Sequence, residues 1–193
     1  MARPIDQGKL ERIKQAAIEL VVNMGYGGAS IASIAKKAEV ADGYLYRFYS
    51  SKQLLVEDLL RSKISVLIEK LSDLLSQGVN LEQIVRSMFE TLFEMASKQP
   101  LDVKFIYVLM HDYNFQVSDD QRIKIRELCS NLLKIGTNEG VVDNKISEEE
   151  VYFMIVVYPI AFLNMRMKNF FSQSGWDEND LQKMVQFSSN SFK

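Results

Sequence analysis

Four of the six residues from Tyr44 to Tyr49 are aromatic (Tyr44, Tyr46, Phe48 and Tyr49), with Arg47 among them and Lys52 close behind. Hydroxylated rings beside cations suit neither a buried helix nor a freely solvated one; they suit a surface that meets phosphate. The hydroxyls of Tyr44 and Tyr46 can donate to phosphate oxygens while their rings supply rigid contact area. Arg47 can pair with a guanine edge or with phosphate, and Phe48 can touch a thymine methyl or pack on the neighbouring backbone. Lys52 falls in the first turn of the next expected helix, where the dipole disfavours a cation by about 0.3–1 kcal/mol. A bound anion would reverse that penalty, because free N–H groups and the ammonium would both point at it. Alone, an exposed lysine without a role would explain Lys52 equally well.

Little else in the chain could do chemistry. There is no nucleophile–base constellation, no phosphate-cradling glycine loop and no metal set, so the chain reads as a non-enzyme that needs neither metal nor cofactor. Asp119–Asp120 and Glu148–Glu149–Glu150 could be imagined as metal or acid–base pairs, but first-turn acids complement a helix dipole without any chemistry. One cysteine, Cys129, and one histidine, His111, exclude an internal disulfide and a His-rich metal site; a reducing, cytoplasmic location is the expectation. The N-terminal stretch MARPIDQGKLERIKQ lacks the apolar core of a secretory leader. The longest apolar run, Val151 to Leu163, has 13 residues, too few to span a bilayer, so no membrane partner is expected. Residues 1–52 carry eight Lys/Arg against five Asp/Glu, whereas the remainder carries 15 against 20. A basic end on an acidic body suggests that the end meets something anionic.

The elements that must position these residues are helices throughout. Leu10, Ile13, Ala17, Leu20 and Met24 step by three and four, giving a first helix over 6–24 stopped by Gly25. Ile31, Ile34, Ala35 and Ala38 mark a short second helix. Leu55, Leu59, Ile64, Leu67, Leu71 and Leu74 mark a long one ending near Gly78. Leu81, Ile84, Val85, Met88, Phe89, Leu92 and Phe93 form the cleanest stripe, and 101–115 is apolar on most sides, as a deeply buried helix would be. Ile125, Leu128, Leu132 and Ile135 mark another helix, and two more are expected over about 148–171 and 178–190. Ser50–Gln53, Asn80–Gln83, Ser118–Gln121 and Ser147–Glu150 each have the spacing of a capping box. The fold class is all-α, with about nine helices.

Residues 30–38, a connection of Glu39, Val40 and Ala41, and residues 42–48 form a helix-turn-helix candidate. Val40 would plug the angle between its helices, while Ile34, Ala35, Leu45 and Tyr49 face inward. Asp42, Gly43, Tyr44, Tyr46 and Arg47 are left on the outer side of a very short helix, suited to entering a major groove by its N-terminal end.

The stretch YGGASIASIAKKAEVADGYLYRFYSSKQLL, preceded by an amphipathic helix, resembles the N-terminal signature of the tetracycline-repressor (TetR) family of bacterial transcriptional regulators. The resemblance implies a helix-turn-helix DNA-binding domain over 1–50 and a helical effector-binding and dimerisation domain over 51–193. It places Ser30 where a Ser or Thr caps the second helix and contacts phosphate, and Tyr46 and Lys52 at phosphate-contacting positions. Tyr44 occupies a position that often holds a small hydroxyl residue, and Arg47 and Phe48 fall where operator sequence is read. Two residues depart from the pattern. Glu39 replaces the usual turn glycine, where a left-handed backbone costs about 1–2 kcal/mol. Asp42 can cap its helix or accept from a cytosine amino group.

One short recognition helix offers few base contacts, so a homodimer on a palindromic, double-stranded operator is expected. Phe162, Met165 and Phe170, with Leu181, Met184, Val185 and Phe192, are candidates for its interface. Met88, Phe89, Phe93, Phe105, Tyr107, Met110, His111, Tyr152 and Tyr158 either build plain core or line a pocket for a small apolar or amphipathic effector. Pro159 removes a backbone bond inside its helix and clashes with the carbonyl of Ile155, costing ~3 kcal/mol unless the helix kinks. Effector binding beside these helices would shift the long helix after Lys52 and change the spacing of the recognition helices. The reading implies repression as the default outcome. A helical lipid- or hydrophobe-binding protein with a degenerate head is the alternative.

Overall fold

In a computed structural model of the chain, residues 6–173 and 175–193 are described; the first five residues, on which part of the leader reading rests, lie outside them. The described residues form α1 (Gln7–Gly28), α2 (Ile31–Lys37), α3 (Asp42–Tyr46), α4 (Lys52–Gln77), α5 (Leu81–Lys98), α6 (Pro100–His111) and α7 (Asp119–Asn138). There follow α8 (Glu148–Tyr152), a π-helical turn (Phe153–Val157), α9 (Tyr158–Met167) and α10 (Glu178–Ser191), with no strand among them. Taken as one run, 148–167 completes the nine helices expected from the spacing.

Caps explain most of the starts. Asp6 accepts from Lys9 N, and Ser30, Asn80, Ser147 and Asp177 each form a reciprocal capping box with the third helical residue. Two expected boxes are not made. Before α4 it is Ser51, not Ser50, whose hydroxyl accepts from Leu54 N at 3.2 Å, and Ser118 stands at the α7 N-cap without a side-chain bond. α1 breaks at Gly25 (φ 75°) and resumes for one short turn. The helix expected over 101–115 stops at His111, and Tyr113 is fully exposed.

The chain divides into two compact units, Met1–Lys63 with Lys104–Val117, and Ile64–Val103 with Ser118–Lys193. In the first, α1 packs on α2 and α2 on α3, burying Ile13, Ala17, Val21, Ile34, Ala35, Leu45, Leu55 and Val56. In the second, α5 packs against α7, α9, α10 and the π turn. Ile84, Phe89, Leu92, Leu132, Ile155, Leu163, Met184 and Phe192 are sealed inside. Gly136 permits the close return after α7: a Cβ there would stand 2.2 Å from Val142 Cγ2 and 2.8 Å from Leu81 Cδ2.

The segment 148–167 answers the Pro159 question. The accommodation is a widened turn: Tyr158 N donates to Phe153 O, five residues back. Met154 O thereby loses its α-helical donor, and the next N–H along is the one proline lacks. The hydroxyl of Ser188, fully buried on α10, reaches that carbonyl at 3.5 Å. By length and composition alone this 20-residue run is long and apolar enough to cross a membrane, beyond what the 13-residue apolar stretch suggested. Its buried residues, Val151, Met154, Ile155, Ile160 and Leu163, lie in the core that α5 and α10 share.

Candidate nucleic-acid interface

The turn between α2 and α3 is a left-handed helix stop. Val40 N donates to Ala35 O at 3.0 Å and Glu39 N to Lys36 O at 3.2 Å, the bonding of a Schellman motif, and Glu39 takes the left-handed conformation (φ 56°) that glycine favours. Ala38 and Leu45 are buried and Val40 half-buried, which fixes the crossing of the two helices. Arg12 Nε donates to Ala38 O at 3.0 Å, tying α1 to the same corner.

This leaves one side of α3 outward. Asp42, Gly43, Tyr46 and Arg47 are exposed, Tyr46 to 56%. Asp42 does not cap the helix: Ala41 is the N-cap, and Asp42, already helical, adds only its charge to the first turn. A Cβ built on Gly43 meets no atom within 4 Å. Tyr44 and Phe48 are half-buried with ring centroids 5.3 Å apart. Lys9 Nζ lies 5.3 Å from the Tyr44 ring centroid and the guanidinium of Arg47 5.8 Å from it. The Tyr44 hydroxyl reaches Asp6 O at 3.4 Å, linking the recognition helix to the start of α1. Tyr49 turns inward, half-buried, and donates to Asp58 Oδ2 at 2.8 Å; burial and that carboxylate push its pKa up. Ser30 is exposed and spends its hydroxyl on the α2 cap.

Lys52 is placed differently from a free phosphate clamp. Its ammonium donates to Tyr26 O at 2.7 Å and Ala29 O at 2.9 Å and stands 4.0 Å over the Tyr26 ring. These carbonyls take two of its three N–H groups and offset the dipole penalty from inside the protein. Burial lowers its pKa against the pull of Asp112. Asp112 holds the other end of the same short turn, accepting from Tyr26 N at 2.7 Å and Gly27 N at 3.4 Å, while its second oxygen accepts from Asn114 N. Gln53 completes the junction: it accepts from the Tyr26 hydroxyl at 2.7 Å and donates to Gln116 O at 2.8 Å. Tyr26, Gln53 and Asp112 escaped sequence reasoning, because residues 86 positions apart carry no periodic signal.

The remaining candidates are scattered. Leu181, Met184, Val185 and Phe192 are buried within their own chain, at 2–6% exposure, so they cannot form a protomer surface. Phe162 stacks on Phe93 at 6.1 Å beneath the Arg166 guanidinium, again within the chain. Met165 and Phe170 are exposed, as are Phe153, Phe171 and Phe187. Of the pocket candidates, Met88, Phe89 and Phe93 are filled core of the second unit, as Phe105 is of the first. Tyr152 and Tyr158 are half-buried, their pKa values raised by burial, and Tyr158 packs on Phe187 at 5.2 Å. Tyr107 and His111 belong to the first unit, 4.3 Å apart, and line an open recess of about 380 Å³; Met110, on the same helix, is half-buried. The set is therefore divided between units. No cluster of three or more His, Cys, Asp or Glu that could hold a metal ion occurs among the described residues.

A two-helix corner with a bare, polar-aromatic second helix has the form of a helix-turn-helix. Residues 13–59 of this chain match the model of the bacterial regulatory proteins of the tetR family. Its members regulate transcription and are not enzymes. The chain is 23% identical over 146 residues to the HTH-type transcriptional repressor KstR2 of Rhodococcus jostii, covering 74% of this chain and 72% of that protein. A TetR-family regulator from Marinobacter aquaeolei has the same fold, with a TM-score of 0.75, 17% identity and 96% of both chains covered. So does the regulator FadR of Bacillus subtilis, solved in complex with stearoyl-CoA, with a TM-score of 0.63, 18% identity, and 95% and 97% covered.

Proposed function

We propose that this regulator is a cytoplasmic homodimeric repressor that grips a palindromic operator through α3 and lets go when a small apolar or amphipathic effector binds its body. Residues 1–50 are the DNA-binding head and 51–193 the effector-binding and dimerising part. The observation that carries this reading is Gly43. A glycine inside a helix costs about 0.5–1 kcal/mol relative to alanine, yet nothing in the protein approaches the place its Cβ would take. Its bareness is of use only to something outside, and the exposed Tyr46 and Arg47 beside it suit a DNA groove. Tyr46 and the third N–H of Lys52 serve phosphates, with Ser30 holding the start of α2 toward them through its cap; Arg47 and Phe48, with Asp42, read bases.

Phe153, Met165 and Phe187 are the apolar side chains that α9, α10 and the π turn leave outward, and they support a dimer face there. The stearoyl-CoA held by one structural neighbour supports an effector with a long hydrocarbon chain. Selecting bound sequences from random duplex DNA tests the reading directly. A two-fold symmetric site is expected, released when stearoyl-CoA is added. Binding without sequence preference would overturn it.

A further inference from the structure

Tyr44 stands on α3 but does not turn its hydroxyl outward. The hydroxyl reaches back to Asp6 O at 3.4 Å, beyond the roughly 3.0 Å that an O–H donor normally spans, so the bond is weak. The half-buried ring does more. Lys9 Nζ of α1 lies 5.3 Å from its centroid and the Arg47 guanidinium 5.8 Å from it, while Phe48 backs it at 5.3 Å. An aromatic face attracts cations at such distances. One ring therefore holds two cations from two helices, and their mutual repulsion is left for an anion to offset.

Neither cation is consumed by its neighbours. Lys9 pairs with Asp6 at 3.7 Å, but both side chains are about half exposed, and such a surface pair is weak. Among the described residues Arg47 has no acid partner, and its side chain is exposed. Lys52, by contrast, is already bound to two carbonyls. Position separates the tasks of the two cations on the ring. The major groove is about 12 Å wide, and its walls are phosphates. Arg47, on α3 itself, faces the base edges when α3 enters that groove. Lys9 stands a ring's breadth to the side of α3, at the wall. A compact ammonium suits a phosphate there and reads no sequence.

We propose that Lys9 is a phosphate contact of the DNA interface and that Tyr44 is a positioning residue, its ring setting Lys9 against the groove wall and Arg47 against the bases. The assignment rests on the operator-binding reading above. The test uses the full chain with its selected operator, affinity being measured by anisotropy across a salt series for the wild type, K9Q, Y44F, Y44L and the double variant K9Q/Y44L. A dimer that loses two phosphate contacts should lose about 1.8 from the slope of log affinity on log salt. K9Q should show that loss while selecting the same operator and keeping the wild-type thermal midpoint. Y44F keeps the ring and should match the wild type in slope and in selected site. Y44L should lose slope as K9Q does and broaden the selected site as R47A does, and the double variant should lose no more slope than K9Q alone. A K9Q slope equal to that of the wild type, a Y44F as impaired as Y44L, or a double variant whose loss is the sum of the two would each overturn the proposal. K9Q and Y44F leave the packing in place, so the decision does not hang on how well Y44L folds. Those outcomes arise with wild-type operator binding intact; a wild type that selects no symmetric site would overturn the regulator reading and this one with it.

Discussion

Gly43→Ala should move stability and DNA affinity in opposite directions. Gly43 has helical backbone, not the left-handed conformation of Gly25, Gly78, Gly140 and Gly175, and its Cβ would find open space. Alanine therefore fits without strain and restricts the unfolded chain. A full interior helix position would gain about 1 kcal/mol. Position 43 is the second residue of a five-residue helix, so roughly half of that is expected. On DNA the methyl group stands where the backbone should come nearest to the groove. Losing one close contact costs ~1–2 kcal/mol, about 5- to 30-fold in affinity. Urea denaturation and fluorescence anisotropy with the selected operator measure the two effects. An operator affinity equal to that of the wild type would refute the docking of α3. A loss of stability would show that the open space beside Gly43 is not open.

Replacing Arg47 by Ala should alter which operators are selected, whereas Lys52→Met should weaken binding evenly across sequences and lower stability, because two carbonyls lose their donor. Asp112→Ala should destabilise the first unit by ~1–2 kcal/mol, the worth of a helix N-cap, in urea denaturation at pH 7. Desolvation raises the Asp112 pKa, but N–H groups of Asn114, Tyr26 and Gly27 together outweigh it and hold it below the usual carboxylate value. The unfolded chain thus takes up the proton first. The Asp112 contribution is full above the unfolded pKa, near 4, and the difference between wild type and variant should shrink as pH falls through the lower folded value. Gly136→Ala should cost ~1–3 kcal/mol through overpacking against Val142 and Leu81, seen as a lower denaturation midpoint. Phe187→Asp should give a folded monomer in analytical ultracentrifugation that no longer holds the operator.

Periodicity made the helices legible, because burying one face of a helix writes itself into every third and fourth residue. It could not show the π turn, since the run Phe153–Val157 stays apolar whichever bonding it adopts. Capping spacing told where α5 and α8 begin, but not that Ser118 and Gln121 would decline the box. The outward side of α3 was readable because Leu45 had to face inward. The use of Lys52 was not, since its acceptors are backbone carbonyls that any sequence offers. Leu181, Met184 and Val185 look identical whether a stripe is covered by its own chain or by another; burial assigns them to their own.

The short turn from Tyr26 to Ala29 sits between an anion supplied by Asp112 and a cation supplied by Lys52. Neither charge comes from the turn's own sequence, so the two form a joint inheritance. Hybrid regulators that join this reading head to a foreign body at residue 50 would leave the turn without both its anion and its cation. Hybrids that carry residues 104–117 along with residues 6–63 would preserve it, which sets where such a chimera should be cut.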